Sequence, residues 1–226
     1  MNELINSGFW RKWWVIVILV LASIGALKWI TPALWSEPEI ALVYGEPWED
    51  MRQRSSAIID PAIADTFWFA MPESDARLRF IDPQYGFATP LARFFTISFD
   101  NERVSNIRLS PQVEPLLLDD ALKIVLDLQG QWRKQGWVVS NSKSDPAIAD
   151  SPDWRIRLRD INTGVRTFWR AGNKYQIMLH MNRFNDIKHP DEERYLISIA
   201  ISKPWIPGDD ELPSKHSEFI LGEPPQ

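Results

Sequence analysis

The sequence predicts an α+β protein: an N-terminal transmembrane helix followed by an exported layered domain of two helix-then-antiparallel-strand units. Three observations predict it. An apolar run spans residues 13–35, interrupted once. Helical and alternating apolar periodicities follow one another after residue 40. The hexapeptide Asp60-Pro-Ala-Ile-Ala-Asp65 returns unchanged as Asp145-Pro-Ala-Ile-Ala-Asp150, the pattern of a tandem duplication.

Fifteen residues without a charge separate Lys12 from Lys28, and the apolar character resumes from Trp29 to Trp35. A tilted helix of this length crosses ~30 Å of hydrocarbon, with the Lys28 ammonium extended toward the headgroups. Five of the twelve tryptophans (Trp10, Trp13, Trp14, Trp29 and Trp35) bracket the run, where an amphipathic ring suits a membrane–water boundary. Arg11 and Lys12 place residues 1–12 in the cytoplasm and everything after Trp35 outside. The alternative is a cleaved signal peptide, against which Ile24-Gly25-Ala26 puts a β-branched residue where a small one is preferred. The chain has no cysteine, which excludes a lipid-modified cysteine, disulfides and thiolate chemistry. A bacterial inner-membrane protein with one span and its C-terminal domain in the periplasm fits these features, the span being retained as a signal-anchor.

The expected organisation is a cytoplasmic N-terminus at 1–12, the membrane helix at 13–35, a periplasmic domain at 36–202 with units at about 40–109 and 117–202, and a Pro-rich tail at 203–226. Residues 36–226 carry 22 basic and 29 acidic side chains, a net charge of −7. That balance excludes nucleic acid as a partner, since phosphate backbones reward clustered Lys and Arg.

Ile40–Tyr44 reads as a strand, and Gly45-Glu-Pro47 ends it. Trp48, Met51, Ser55 and Ile58/Ile59 recur at helical spacing, so a helix is predicted over Pro47–Ile59, with Pro47 at its first position. Strands are predicted at Arg77–Ile81, Ala92–Phe99 and Arg103–Leu109, the last two joined by a short turn at Asp100-Asn-Glu102. The clearest helix runs from about Asp119 to Gln135. Its acidic start suits the positive end of the helix dipole, Leu118, Leu122, Val125, Gln129 and Trp132 trace one side, and Gly136 supplies a left-handed stop onto which Trp137 folds back. Further strands are predicted at Trp154–Asp160, Val165–Trp169, Tyr175–Asn182 and Tyr195–Ser202, with a turn at Ala171-Gly-Asn173. After each hexapeptide the sequence matches again, Arg77-Leu-Arg79-Phe-Ile-Asp82 against Arg155-Ile-Arg157-Leu-Arg-Asp160, which extends the expected duplication into paired strands. Tandem units of this kind resemble, in architecture only, periplasmic inhibitor domains of the β-lactamase-inhibitor type.

Chemistry-bearing motifs are scarce. The chain has no Gly-x-Ser-x-Gly elbow, no Gly-rich phosphate loop and no His-Glu-x-x-His. His180, His189 and His216 are scattered, so neither a metal nor a cofactor is expected. Asp82 stands out at the end of a strand, although Asp82-Pro-Gln-Tyr-Gly86 is also a turn composition.

The arginines are the candidate binding residues. If Trp154–Asp160 is a strand, Trp154, Ile156 and Leu158 point one way while Arg155, Arg157 and Arg159 form a row on the other face, and Arg77 and Arg79 repeat that pattern. Such a row could receive carboxylates through bidentate contacts. Trp48 and Trp169 are candidate aromatic anchors. Together these features imply a non-catalytic protein-binding domain at the inner membrane, tethered to the bilayer through residues 13–35, whose partner is a periplasmic or imported protein. An immunity or inhibitor role against an envelope-acting toxin is the first expectation. A structural or accessory subunit of an envelope assembly or secretion complex is the alternative, and an envelope hydrolase is third.

Overall fold

A computed structural model of the chain describes residues 37–206. The expected membrane helix at 13–35 and most of the Pro-rich tail lie outside the described residues. Among the described residues no helix is long and apolar enough to cross a membrane. Over the described residues the fold is α+β, mostly sheet with three helices.

The first strand, β1 (Glu39–Leu42), is followed by helix α1 (Trp48–Arg54). The helix is shorter than its periodicity predicts, because Ser55 and Ser56 turn their hydroxyls toward the backbone of β1. Ser55 Oγ donates to Met51 O at 2.8 Å and accepts from Ala41 N at 3.0 Å, while Ser56 Oγ accepts from Glu39 N at 2.9 Å. These bonds offer the chain an alternative to another helical turn.

Strands β2 (Phe67–Ala70), β3 (Ala76–Phe80), β4 (Phe87–Ala92), β5 (Phe95–Asp100) and β6 (Arg103–Leu109) come next. The strand expected at Ala92–Phe99 is interrupted: Ala92 ends β4, the chain changes sheets at exposed Arg93-Phe94, and β5 takes the rest, with buried Ala92 and Phe95 three residues apart so that the period of two breaks at the corner. The short turn expected at Asp100-Asn-Glu102 is a two-residue connection, with Asn101 at φ 46° and Glu102 at φ 61°, the left-handed pair a type I′ hairpin requires.

Helix α2 (Leu118–Lys134) carries Asp119 and Asp120 in its first turn and Arg133 and Lys134 in its last, each matched to the local end of the dipole. It closes in a Schellman arrangement: Gly136 adopts φ 82°, its N–H donates to Arg133 O at 3.2 Å, and Trp137 N–H donates back to Trp132 O at 3.0 Å. The short strand β7 (Val138–Ser140) precedes helix α3 (Pro152–Arg159), and β8 (Val165–Ala171), β9 (Tyr175–Phe184) and β10 (Arg194–Ser202) follow.

Helix α3 stands where the sequence predicts a strand at Trp154–Asp160. Ser151 Oγ caps Trp154 N–H, Pro152 occupies the first helical turn and Asp153 adds a negative charge to it, a strong local start signal. The alternation of Trp154, Ile156 and Leu158 misleads because the helix needs only its i, i+4 members: Leu158 is buried and Trp154 packs partly on the core, while Ile156 is left 67% exposed.

Two sheets result. β1 pairs in parallel with β3, which pairs antiparallel with β4. The larger sheet has the order β2-β5-β6-β10-β9-β8-β7 and is antiparallel throughout. Its central pair, β6 with β10, joins the two halves of the chain through Leu109 opposite Ile199 and Ile107 opposite Ile201.

One face of the large sheet is apolar, for instance Ile97, Ile107, Leu179 and Ile199, all buried. Helix α2 lies against β10 of this sheet and β4 of the smaller one. An aromatic chain ties the three layers together. Phe87 meets Trp132 edge-on at 5.7 Å, Trp132 meets Trp169 at 5.5 Å, and Phe80 meets Tyr175 edge-on at 5.2 Å. Such pairs add about 0.5–1.5 kcal/mol each beyond the area they bury.

The hexapeptide copies do not sit in equivalent structure. The first leads into strands β2 and β3; the second follows β7 and leads into helix α3. The strand match expected at Arg77–Asp82 and Arg155–Asp160 is a strand against a helix.

Candidate functional site

The arginine row on a sheet face does not form. Arg155, Arg157 and Arg159 project from α3, a helix, and each has a partner within the domain. Arg155 bridges Asp150 at 2.5 Å and Asp119 at 2.7 Å, Arg157 lies over the Trp154 ring at 4.6 Å, and Arg159 reaches Glu193 at 3.2 Å. Arg77 and Arg79 do lie on strand β3, and both hold Glu39, at 3.0 and 2.6 Å. Burial pushes the Glu39 carboxyl up, but the bonds from Arg79 and Arg77 outweigh it and keep the group below its ordinary range. Trp169 is buried in the core beneath the Arg133 guanidinium, 5.1 Å from its ring, so it cannot anchor a partner. Trp48 is half-buried against the core, with Arg52 stacked 5.7 Å above it.

Two other features stand out. The first is β2, an edge strand that pairs with β5 alone among the described residues. Its register against β5 puts Phe67 opposite Asp100 and Phe69 opposite Ser98, on the sheet face away from α2. They are 65% and 59% exposed. Trp68 on the other face and Met71 just beyond the strand are also exposed, and the Ile59–Pro72 bridge brings exposed Ile58 alongside. Edge strands are usually blunted by charge, proline or a bulge, and an aromatic one is a template for another strand. The sequence shows the run Thr66-Phe-Trp-Phe-Ala-Met71 bounded by Asp65 and Pro72, a strand signature. Its edge position is a tertiary fact that periodicity does not carry.

The second feature is a basic concavity of about 580 Å³ at the β8–β9 turn, lined by Tyr44, Arg170, Asn173, Lys174, Tyr175 and Lys203. Three cations gathered in an acidic domain are separated by up to 33 residues in sequence, and no local pattern announces them. Asp82 lies behind them. Its Oδ1 accepts from Gln84 N and Tyr85 N at 2.9 Å each, and its Oδ2 accepts from Tyr175 OH at 2.9 Å with Lys174 Nζ at 3.9 Å. Burial raises the Asp82 pKa, yet these donors and Lys174 more than offset it and hold the group below its ordinary value. The same arrangement acts oppositely on Tyr175, whose hydroxyl is pushed up to about 12 by burial and by the adjacent carboxylate. Asp82 is thus a charged brace for the turn, and its expected turn role and its buried position are both explained. The Lys203 ammonium stands 5.8 Å over the Tyr44 ring and the Lys174 ammonium 5.8 Å over Tyr85, so each cation rests on an aromatic face.

Among the described residues, no group of three or more His, Asp or Glu side chains converges as a metal site would require. No protein-family profile, curated protein or solved structure matches this chain.

Proposed function

We propose that this chain is a non-catalytic protein-binding module, anchored in the bacterial inner membrane through residues 13–35 and presenting its domain to the periplasm. It captures an extended segment of another polypeptide by strand addition at β2. The observation that carries this reading is the edge strand itself, with exposed Phe67 and Phe69 on one face and Trp68 on the other. Main-chain hydrogen bonds along a free edge supply affinity without sequence demands, and aromatics on alternating sides read the partner's side chains. The partner is accordingly a strand with apolar residues at alternate positions. An imported toxin held inactive in this way would make the chain an immunity or inhibitor protein. A resident component of an envelope assembly or secretion complex would make it an accessory subunit, and the same surface serves both.

Photo-crosslinking in cells tests the proposal. A benzophenone amino acid at position 67 or 69 of the full chain should yield a discrete adduct with another protein. The same probe at exposed Ile156, on α3, should yield none. Replacing the remaining aromatic of the pair by lysine should abolish the adduct. Adducts of equal strength at 67, 69 and 156, or none at β2, would refute strand addition. An adduct present without any toxin in the cell favours the resident-subunit reading.

A further inference from the structure

A groove of about 630 Å³ crosses the face of the large sheet that turns away from α2. That volume falls within the roughly 300–1,000 Å³ usual for a small-ligand site. Ser98 and Asp100 of β5 and Asn106 and Arg108 of β6 line it, with Ser98 directly opposite Asn106 in the ladder. Aromatic rings stand at its two ends. Phe67, on β2 opposite Asp100, is one. Trp205 is the other, where the chain returns over the sheet after β10. Gln176, fully buried, fixes that return: its Oε1 accepts from Trp205 N at 2.9 Å and from Ile206 N at 2.8 Å. The Trp205 ring meets Phe168 edge-on at 6.3 Å and keeps 43% of its surface exposed. It is a held wall with an open side.

The polar groups between these rings are unspent. Among the described residues, the side chains of Ser98, Asp100, Asn106 and Arg108 make no hydrogen bond or ion pair. Every other arginine carried by a strand has a partner: Arg77 and Arg79 hold Glu39, Arg103 the Gly45 carbonyl, Arg166 Asp145, Arg170 Asn173, Arg183 Glu193 and Arg194 the Pro115 carbonyl. The Asn106 Oδ1 and the neighbouring Ser105 Oγ are withdrawn from water and have no partner among the described residues either. Buried polar atoms left in this state call for an explanation, and a ligand group supplies one.

The chemistry of the lining selects the ligand. One carboxylate and one guanidinium cancel in charge, so a simple ion gains nothing here. An apolar ligand would cover donors and acceptors without pairing them, which is costly. The main chain of β5 and β6 is already paired on both sides, so a peptide backbone finds no edge in this groove. A sugar meets every requirement: its ring faces carry C–H groups that lie on aromatic rings, and its rim carries hydroxyls that both donate and accept. From β2 to β10 the groove spans three strand spacings, about 14 Å, which is room for roughly two pyranose rings. We propose that this groove is an oligosaccharide site, with Phe67 and Trp205 stacking on the sugar faces and Ser98, Asp100, Asn106 and Arg108 pairing with the hydroxyls. The site needs neither the membrane anchor nor strand addition at β2.

Saturation-transfer NMR on the full chain, in a detergent without a sugar headgroup, tests it. Cellobiose and N,N′-diacetylchitobiose are the probes, and they separate plain from N-acetylated sugars. At least one should receive saturation from the protein, strongest at its ring C–H protons because these lie on Phe67 and Trp205. Arg108→Ala, at an exposed position, should abolish the signal without altering thermal melting, and Trp205→Ala should abolish it as well. Ile156→Lys, on α3, should leave it unchanged. The benzophenone adduct at position 69 should persist in Arg108→Ala, so loss of sugar binding and loss of strand addition are told apart. Silence of both disaccharides up to about 10 mM would overturn the proposal. So would a signal that survives Arg108→Ala and Trp205→Ala, or an equal signal from glycerol.

Discussion

Gln129 and Ile148 exchange two hydrogen bonds: Gln129 Nε2 donates to Ile148 O at 2.8 Å, and Ile148 N–H donates to Gln129 Oε1 at 3.0 Å. Both residues are buried. The side-chain amide of α2 thereby acts as a surrogate strand partner for the second hexapeptide. The corresponding residue of the first hexapeptide, Ile63, has no such amide partner among the described residues and is 46% exposed, against 1% for Ile148. Identical hexapeptides take opposite environments because only one has an amide waiting for its backbone. The same device recurs at Gln131, which exchanges two bonds with Ala88 at 3.0 and 3.1 Å. It recurs again at Gln112, whose amide donates to Tyr195 O and accepts from Ile197 N.

Gln129→Leu should therefore be strongly destabilising although leucine suits both helix and core. It leaves the Ile148 N–H and C=O buried without partners, at about 1–3 kcal/mol for each unsatisfied group. Urea unfolding should show a lowered midpoint, and Gln131→Leu should cost less because Gln131 is only half-buried. A Gln129→Leu chain as stable as the parent would contradict the clamp.

Gly86→Ala should also destabilise, by about 1–3 kcal/mol of overpacking. A Cβ at position 86 would lie 2.9 Å from Asp82 O and 3.0 Å from Phe80 O, both backbone atoms that cannot swing away. Since Asp82 braces Tyr175, thermal melting should fall, and so should Tyr175 shielding by near-ultraviolet absorbance. An unchanged melting temperature would show that the turn relaxes freely.

The helical state of residues 152–159 predicts an asymmetry between neighbours. Ser151→Ala removes the cap on Trp154 N–H and should cost about 1 kcal/mol. Ile156→Lys, at an exposed helical position, should stay within about 0.5 kcal/mol. Were this segment a strand with Ile156 facing the core, the order of the two effects would invert, and chemical denaturation of both variants decides it.

His180 predicts a pH dependence. It sits on β9 opposite Arg166 of β8 and Ser198 of β10, with Gly164 packed against its ring. Burial first, and then the Arg166 charge, hold its pKa below the ordinary 6.5. The unfolded chain therefore binds a proton that the folded chain resists, and stability falls as pH drops below about 6.5 toward the lower folded value. Subtracting the pH profile of a His180→Gln variant should isolate this loss. A parent chain that gains stability relative to the variant on acidification would reverse the assigned sign.

The sequence made most strands and the long helix legible, because those elements are decided locally. The stripe on α2, the Gly136 stop and the Asn101-Glu102 turn all follow from residue type and spacing. Residues 154–160 read as a strand because alternation and helical spacing share Trp154 and Leu158, while the helix is decided by the Ser151 cap and Pro152 just before them. The arginines drew attention by their clustering, yet clustering in sequence says nothing of the acids that Asp119, Asp150, Glu39 and Glu193 bring from elsewhere. The basic concavity and the β2 edge have the reverse character. Arg170, Lys174 and Lys203 meet only through the β8–β9 turn and the return of the chain after β10, and the exposure of Phe67 and Phe69 depends on which strand ends the sheet.

The position of β10 has a consequence for how the domain is made. The last strand of the described residues lies in the middle of the sheet, between β6 and β9. A chain emerging N-terminus first must hold β6 as an open, apolar edge until residue 202 has appeared, because nothing earlier in the sequence can close it. Pairings of such long sequence separation form late and slowly, and they leave hydrophobic strands exposed meanwhile. Maturation of this domain is thus all-or-none with respect to its own length: a nascent chain halted before Arg194 has two half-sheets and no centre, a species that holdase chaperones and proteases, rather than partners, will meet first.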